Sequence, residues 1–140
     1  MLKDPDLDIP YQPTVSWLLA GIEIYYREET LGEELCKYNP NDKKDREEII
    51  KKYILPEKEH LSYRHRFLLI EELKSCLQQS DYDFERFFDP YITCEDHTSI
   101  AWDNNEIDSP RSFFEDIYRY AWEEWKEDLQ KAASEDPTTW

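Results

Sequence analysis

The chain has 140 residues, the length of one domain, and 39% of them are hydrophobic, which supplies a core and excludes wholesale disorder. Its 33 acidic and 17 basic residues give a formal net charge of −16, a field that repels nucleic-acid phosphates and anionic membrane surfaces. With only two glycines for tight turns, an all-β chain is disfavoured, and the composition predicts a mainly α-helical domain spanning 1–140.

The N-terminal segment 1–13 contains three prolines spaced among aspartates. Proline spacing and charge repulsion predict an extended arm, which Leu7, Ile9 and Tyr11 could pin to the surface. The same segment has no apolar core of a secretory signal, and no run in the chain reaches the roughly 18–20 apolar residues of a membrane span.

The first helix is predicted to begin after Thr14 as N-cap and to end at Gly32 or at Asn39-Pro40. Its apolar residues recur at helical spacing: Val15, Leu18, Leu19, Ile22, Tyr25 and Tyr26.

Two further helices are predicted between Asp42, a candidate N-cap, and residue 77. Pro56 should end the second helix at Leu55 and open the third, because proline is unfavourable inside a helix and favourable at its first position. The third helix carries the clearest amphipathic stripe of the chain: Leu61, His65, Leu68, Leu69, Leu73, Cys76 and Leu77.

Residues 81–88 are predicted to form a short helix or turn, after which helical periodicity is lost over 89–109. Within that interval, 91–94 and 99–102 could pair as a minor β-hairpin, although the loop between them has no Asn-Gly or Asp-Gly turn. The last helix is marked by Ser109 as N-cap and Pro110 at its first position, and its apolar pattern continues to Ala132.

We therefore expect a single helical bundle-like domain of four main helices, with room for the minor hairpin, an extended arm at 1–13 and a flexible tail at 134–140. The predicted core is Leu18, Leu19, Ile22, Ile50, Ile54, Leu61, Leu68, Leu69, Leu73, Ile117, Ala121, Trp125 and Leu129.

No residue pattern supports catalysis or a cofactor. The two glycines lie too far apart to cradle a phosphate, and Glu57-x-x-His60 is a single copy of a motif that bundle metal sites use twice. Cys94 and His97 are close in sequence, but the acids between them disfavour a reactive thiolate. We predict a non-enzymatic protein with no catalytic residue, no metal and no cofactor.

The cysteines, Cys36, Cys76 and Cys94, are odd in number and lack C-x-x-C spacing. Free thiols of this kind are typical of a reducing compartment, so the predicted location is cytoplasmic.

The acidic surplus, concentrated outside the balanced segment 43–80, favours a basic protein partner, since charge complementarity speeds encounter. Trp102 is the candidate anchor, because aromatic residues displayed on irregular segments often carry recognition. The predicted partner-binding residues are Asp96, Trp102, Asp103, Glu106, Asp116, Glu123 and Glu124. Two alternatives stay open: the charge could serve only solubility, and the aromatic rings could simply fill the core.

In size, charge and compartment, this profile is similar to that of small acidic immunity proteins, which neutralise nuclease toxins inside bacteria. The resemblance implies an inhibitor that covers the active surface of a basic partner such as a nuclease toxin. The negative charge of the chain predicts no direct contact with nucleic acid or membrane. The alternative is a structural or adaptor subunit that uses its amphipathic helices as a packing surface, and an enzyme assembled from distant polar groups is the third hypothesis.

Overall fold

The computed structural model describes residues 2–24, 26–89 and 100–140, and these are mainly helical, as the sequence predicts. The α-helical segments are α1 (Glu33–Leu35), α2 (Lys43–Ile49), α3 (Leu55–Glu57), α4 (Tyr63–Leu77), α5 (Pro110–Glu124) and α6 (Lys126–Ala133). Between and around them lie 3-10 helices at Val15–Ile22, Glu85–Phe88 and Pro137–Thr139 and π-helical turns at Glu28–Gly32 and Ile50–Ile54.

Helix α4 lies at the centre and packs against both α5 and α6. The face it turns toward those helices is Phe67, Leu69, Ile70, Leu73 and Cys76. Of the predicted stripe, Leu69, Leu73 and Cys76 are buried, whereas Leu68 and Leu77 are only partly buried. Helix α5 runs antiparallel to α4, since Arg111 near its start donates to the carbonyl of Leu77 at the end of α4, 3.0 Å away.

Side-chain caps explain where the main helices begin. The side chains of Asp42, Ser62 and Ser109 each accept a hydrogen bond from the backbone N–H three residues later, which satisfies a donor that the helix leaves unpaired. The predicted caps at Asp42 and Ser109 are confirmed, and Pro110 occupies the first turn of α5. The Ser62 cap was not anticipated.

The predicted break before Pro56 is wrong. Helix α2 continues through the π-helical turn Ile50–Ile54 into α3, which contains Pro56, and the next helix begins at Tyr63. The N–H of Leu55 donates to the carbonyl of Ile50, five residues earlier, instead of the carbonyl four residues earlier. The backbone hydrogen bonds are therefore already of the π-helical type before Pro56, which has no N–H to donate.

The first helix is shorter than predicted and is a 3-10 helix over Val15–Ile22. Thr14 stands at the N-cap position without a capping hydrogen bond from its side chain. The backbone of Tyr26 is left-handed, with φ of 61°, and it separates this helix from the turn that follows.

A close backbone approach holds this 3-10 helix against the segment Ile50–Ile54. A Cβ atom at Gly21 would lie 1.9 Å from the carbonyl oxygen of Tyr53, a distance that no side chain can occupy. Only glycine permits this contact.

The N-terminal segment does not run as an extended arm. Its chain turns back on itself, with Asp4 N–H donating to Ile9 O at 2.8 Å and Tyr11 N–H donating to Leu2 O at 3.0 Å. Tyr11 is buried, whereas Leu7 and Ile9 are exposed. These local hydrogen bonds close the turn although the segment carries three aspartates.

The C-terminal segment is docked against the domain, although the sequence predicts a flexible tail. The 3-10 helix Pro137–Thr139 returns the chain so that Trp140 is buried, with its ring centroid 6.0 Å from that of Phe67. Burial of the Trp140 ring and hydrogen bonds to the Glu135 carboxylate from Tyr63 and Arg64 of α4, 2.7 and 2.9 Å long, hold the segment in place.

The predicted minor hairpin falls largely on residues 90–99, which lie outside the described part of the chain. Ile100, which follows them, forms an antiparallel bridge with Glu23 at the end of the first helix, and Ala101 N–H donates to Ile22 O at 3.0 Å.

The predicted core residues are buried, except that Leu68 is only partly buried. The sequence prediction leaves out an aromatic cluster in which Phe84 and Phe88 pack on α5, with 4.9 Å between the ring centroids of Phe84 and Phe114 and 5.8 Å between those of Phe88 and Phe113.

Candidate functional site

Acidic side chains gather where α5 ends and α6 begins. The helix predicted to be continuous to Ala132 is interrupted at Trp125, whose φ and ψ of −110° and 22° are not helical. Trp125 is buried, while the charged residues around it line a shallow surface depression. Its charged lining residues are one lysine, Lys126, and four acids. We call these acids, together with Glu47 of α2, the α5–α6 acidic surface: Glu47, Glu123, Glu124, Glu127 and Asp128.

One lysine is shared among three of these carboxylates. The ammonium group of Lys51 lies 3.0 Å from Glu47, 3.5 Å from Glu124 and 3.7 Å from Glu123. The hydrogen bond to Glu47, and then the negative charges of all three carboxylates, raise the pKa of Lys51. The lysine is therefore protonated and positively charged at neutral pH. One cation cannot neutralise three carboxylates, and this cluster keeps a net negative charge.

Glu123 and Glu124 are also accessible, with 56% and 47% of their side chains exposed. Exposed ion pairs of this kind contribute little to folding stability, so both carboxylates could exchange Lys51 for a cation on another protein at low cost. Both predicted partner-binding residues are thus exposed carboxylates whose described ion pairs are with a lysine of the same surface.

Asp116 has a different role. One carboxylate oxygen lies 3.2 Å from the guanidinium of Arg46, which is only 8% exposed, and the other lies 3.0 Å from Arg119. Arg46 also donates to Ser112 Oγ at 3.0 Å and to the Pro40 carbonyl at 2.7 Å. Both oxygens of Asp116 are engaged within the chain, and it serves the fold.

Asp103 and Glu106 form a turn. Asp103 accepts from the backbone N–H groups of Asn105 and Glu106 at 2.8 and 3.1 Å, and Glu106 accepts from the N–H of Asp103 at 3.1 Å. This reciprocal arrangement resembles a capping box. Substitution of Asp103 would therefore alter the turn as well as the surface charge.

Trp102 does not match the anchor that the sequence predicts. It is only 5% exposed and belongs to the core cluster, because the bridge between Ile100 and Glu23 draws its segment onto the domain. Asp96, which was grouped with it, lies outside the described residues.

Sequence reasoning missed the exposed apolar residues. Leu7 is 60% and Ile9 50% exposed, although both were expected to pin the arm to the surface, and Trp17 and Tyr26 are exposed as well. The alternation of Asp6, Leu7, Asp8 and Ile9 gives no signal for this exposure, which depends on the turn that backbone hydrogen bonds close.

The Glu57 and His60 side chains do not converge in the manner of metal ligands. The His60 imidazole bonds to the backbone carbonyl of Glu57 at 2.8 Å, and the Glu57 carboxylate lies 3.0 Å from Lys58 Nζ. Within 2–24, 26–89 and 100–140, no three histidine, cysteine or acidic side chains are grouped as they would be around a metal ion. None of the helices in these same ranges has both the length and the apolar character of a bilayer span.

Comparison of the chain with protein-family models, with curated proteins and with solved structures finds no match.

Proposed function

We propose that this protein is a non-enzymatic binding module that holds a basic protein against its α5–α6 acidic surface. The observation that carries the proposal is the cluster around Lys51, where two half-exposed carboxylates, Glu123 and Glu124, share one ammonium group with Glu47. The three carboxylates carry more negative charge than Lys51 neutralises, and Glu123 and Glu124 present that charge at the surface.

Long-range attraction supports the same function. A net charge of −16 produces a field that speeds encounter with a cationic protein and slows encounter with anionic ones. Excess charge of one sign also destabilises a folded chain through self-repulsion. Recognition of a basic partner explains why such a charge is retained despite this loss of stability.

Within this class, an inhibitor or immunity-type protein is the function we favour. A nuclease presents a basic groove to its nucleic-acid substrate, and an acidic surface placed over that groove would exclude the substrate by occupying the same cations. The adaptor alternative receives less support, since the apolar faces of α4 and α5 pack against each other inside this domain.

The proposal is tested by recovering the partner from the native host with a tagged, crosslinked form of this protein. Glu123→Gln/Glu124→Gln removes two charges from the acidic surface, and Glu28→Gln/Glu29→Gln removes the same charge from exposed positions in another element. We expect wild type and the control to recover the same basic protein and the first variant to recover less of it.

The recovered protein is then assayed for nucleic-acid cleavage with and without the purified module. Inhibition by wild type, weakened by Glu123→Gln/Glu124→Gln, is the expected result. A partner with no excess of basic residues, or equal recovery by all forms, contradicts the proposal.

A further inference from the structure

Two apolar side chains stand outward on the turned-back loop 3–10. Leu7 is 60% and Ile9 50% exposed, and both follow aspartates in the sequence. Tyr11, two residues after Ile9, is buried and lies 5.9 Å from exposed Trp17 between ring centroids. The exposed side chains of Leu7 and Ile9 therefore lie close to the buried Tyr11, which packs the loop against the domain.

Hydrogen bonds within the loop fix its shape. The Asp4 carboxylate accepts from the N–H groups of Asp6 and Leu7 at 2.9 and 3.1 Å, and the Asp4 N–H closes the turn onto Ile9 O. Lys3 pairs with Asp8 across the loop. A loop ordered before binding loses less conformational entropy when it docks.

The base of the loop is fastened to the first turn of α4. His65 Nε2 donates to the carbonyl of Lys3, 2.7 Å away, since a carbonyl can only accept, and His65 Nδ1 lies 2.6 Å from Ser62 Oγ. Tyr11 stands edge-on to the same imidazole at 4.7 Å between ring centroids. Loop and helix are thus joined by both polar and aromatic contacts.

The same turn of α4 also reaches the acidic surface. Arg66, next to His65, bonds to Asp128 of α6 at 2.7 Å. The loop and the α5–α6 acidic surface are therefore attached to adjacent residues at one end of α4.

We infer that loop 3–10 is the apolar docking element of this protein and that Leu7 and Ile9 enter a pocket of the partner whose rim carries lysine or arginine. The inference rests on the proposed function, which supplies the basic partner. Asp4, Asp6 and Asp8 outnumber Lys3 in the loop and complement such a rim. A second copy of this chain is a poorer occupant, because it would bring like-charged loops together.

The test places a photoreactive benzoylphenylalanine at position 7 or at position 124 of the full chain in the native host, and the crosslinked protein is then purified. The Kd of the complex between this captured partner and our protein is measured for wild type, for Leu7→Ala/Ile9→Ala and for Tyr26→Ala. The last variant is the control, because it removes an exposed aromatic ring elsewhere. Melting curves confirm that all forms are folded.

We expect one basic protein to be crosslinked from both positions, with its Kd weakened about tenfold or more by Leu7→Ala/Ile9→Ala and unchanged by Tyr26→Ala. Crosslinking from position 124 alone, or an unchanged Kd for the double variant, overturns the inference and leaves the proposed function standing. Crosslinks between two copies of this chain from position 7 also overturn it. If neither position captures a basic protein, the proposed function fails together with the inference.

Discussion

Arg46 of α2 extends into the interior and meets Asp116 of α5 at 3.2 Å, while its guanidinium carbon lies 5.3 Å from the ring centroid of Phe113. This pair links two helices far apart in sequence, and it shows that part of the acidic composition serves the fold. Glu123 and Glu124, to which we assign recognition in the proposed function, have their only described ion pair with Lys51 at the surface.

Arg46→Ala should lower the free energy of unfolding by roughly 3 kcal/mol, because it leaves Asp116 and the Pro40 carbonyl without their buried cation. Arg119→Ala removes the exposed partner of the same carboxylate, whose side chain is 52% accessible, and should cost less than about 1 kcal/mol. Urea denaturation measures the free energy of unfolding of both variants. Equal decreases would show that the buried ion pair stabilises the fold no more than the exposed one.

Gly21→Ala should destabilise the protein by about 1–3 kcal/mol or more, since the added methyl group meets the Tyr53 carbonyl. Gly32→Ala is the matched control: a Cβ there has its nearest neighbour at 3.7 Å, and the helical backbone favours alanine. Thermal melts of the two variants should diverge. If Gly21→Ala melted like wild type, the close approach of the two segments would be wrong.

Leu69→Ala should cost roughly 2–5 kcal/mol, because Leu69 is fully buried at the centre of α4. Leu68→Ala, in the adjacent and only partly buried position, should cost clearly less. Chemical denaturation gives the free energy of unfolding of both variants and so distinguishes two positions that the sequence pattern places on one stripe. A larger decrease for Leu68→Ala would mean that Leu68, and not Leu69, is the buried residue.

Glu135 should make stability depend on pH. Hydrogen bonds from Tyr63, then from Arg64, lower its pKa below the ordinary value of 4.5. A carboxyl whose pKa is lower in the folded state stabilises the protein fully above its ordinary pKa, and that contribution is lost as pH falls through the lowered value. The difference in urea midpoint between wild type and Glu135→Gln should therefore be largest near neutral pH and shrink below pH 4.5.

Tyr63→Phe provides an independent check on the same carboxyl, because it removes the hydrogen bond with the largest effect. Titration of the Glu135 carboxyl carbon by NMR should show its pKa move up toward 4.5 in this variant. An unchanged titration would mean that the C-terminal segment is not docked as described.

The sequence carries good information about local signals. The caps at Asp42 and Ser109 were predictable because a short polar side chain before an acidic or proline-led turn satisfies free N–H groups directly. Pro56 misled the prediction, since its usual effect depends on the α-helical ladder, and the π-helical turn before it had already altered that ladder.

Burial of individual side chains was harder to predict. Trp102 and Trp140 sit in segments without periodicity, so nothing in the sequence distinguishes an aromatic ring that folds inward from one displayed to a partner. Leu7 and Ile9 are the converse case, because their exposure follows from a turn closed by backbone hydrogen bonds. At the candidate site, Glu123 and Glu124 could be named from charge, but the role of Asp116 depends on an arginine far away in sequence.

The most direct test of the acidic-surface proposal is the association rate constant of this protein with its purified basic partner, measured by stopped flow over a range of salt concentrations. We expect the wild-type rate constant to fall steeply with salt, and Glu123→Gln/Glu124→Gln to start lower at low salt and fall less steeply, while Glu28→Gln/Glu29→Gln stays closer to wild type. Identical low-salt rates and salt slopes for wild type and Glu123→Gln/Glu124→Gln would contradict the proposal.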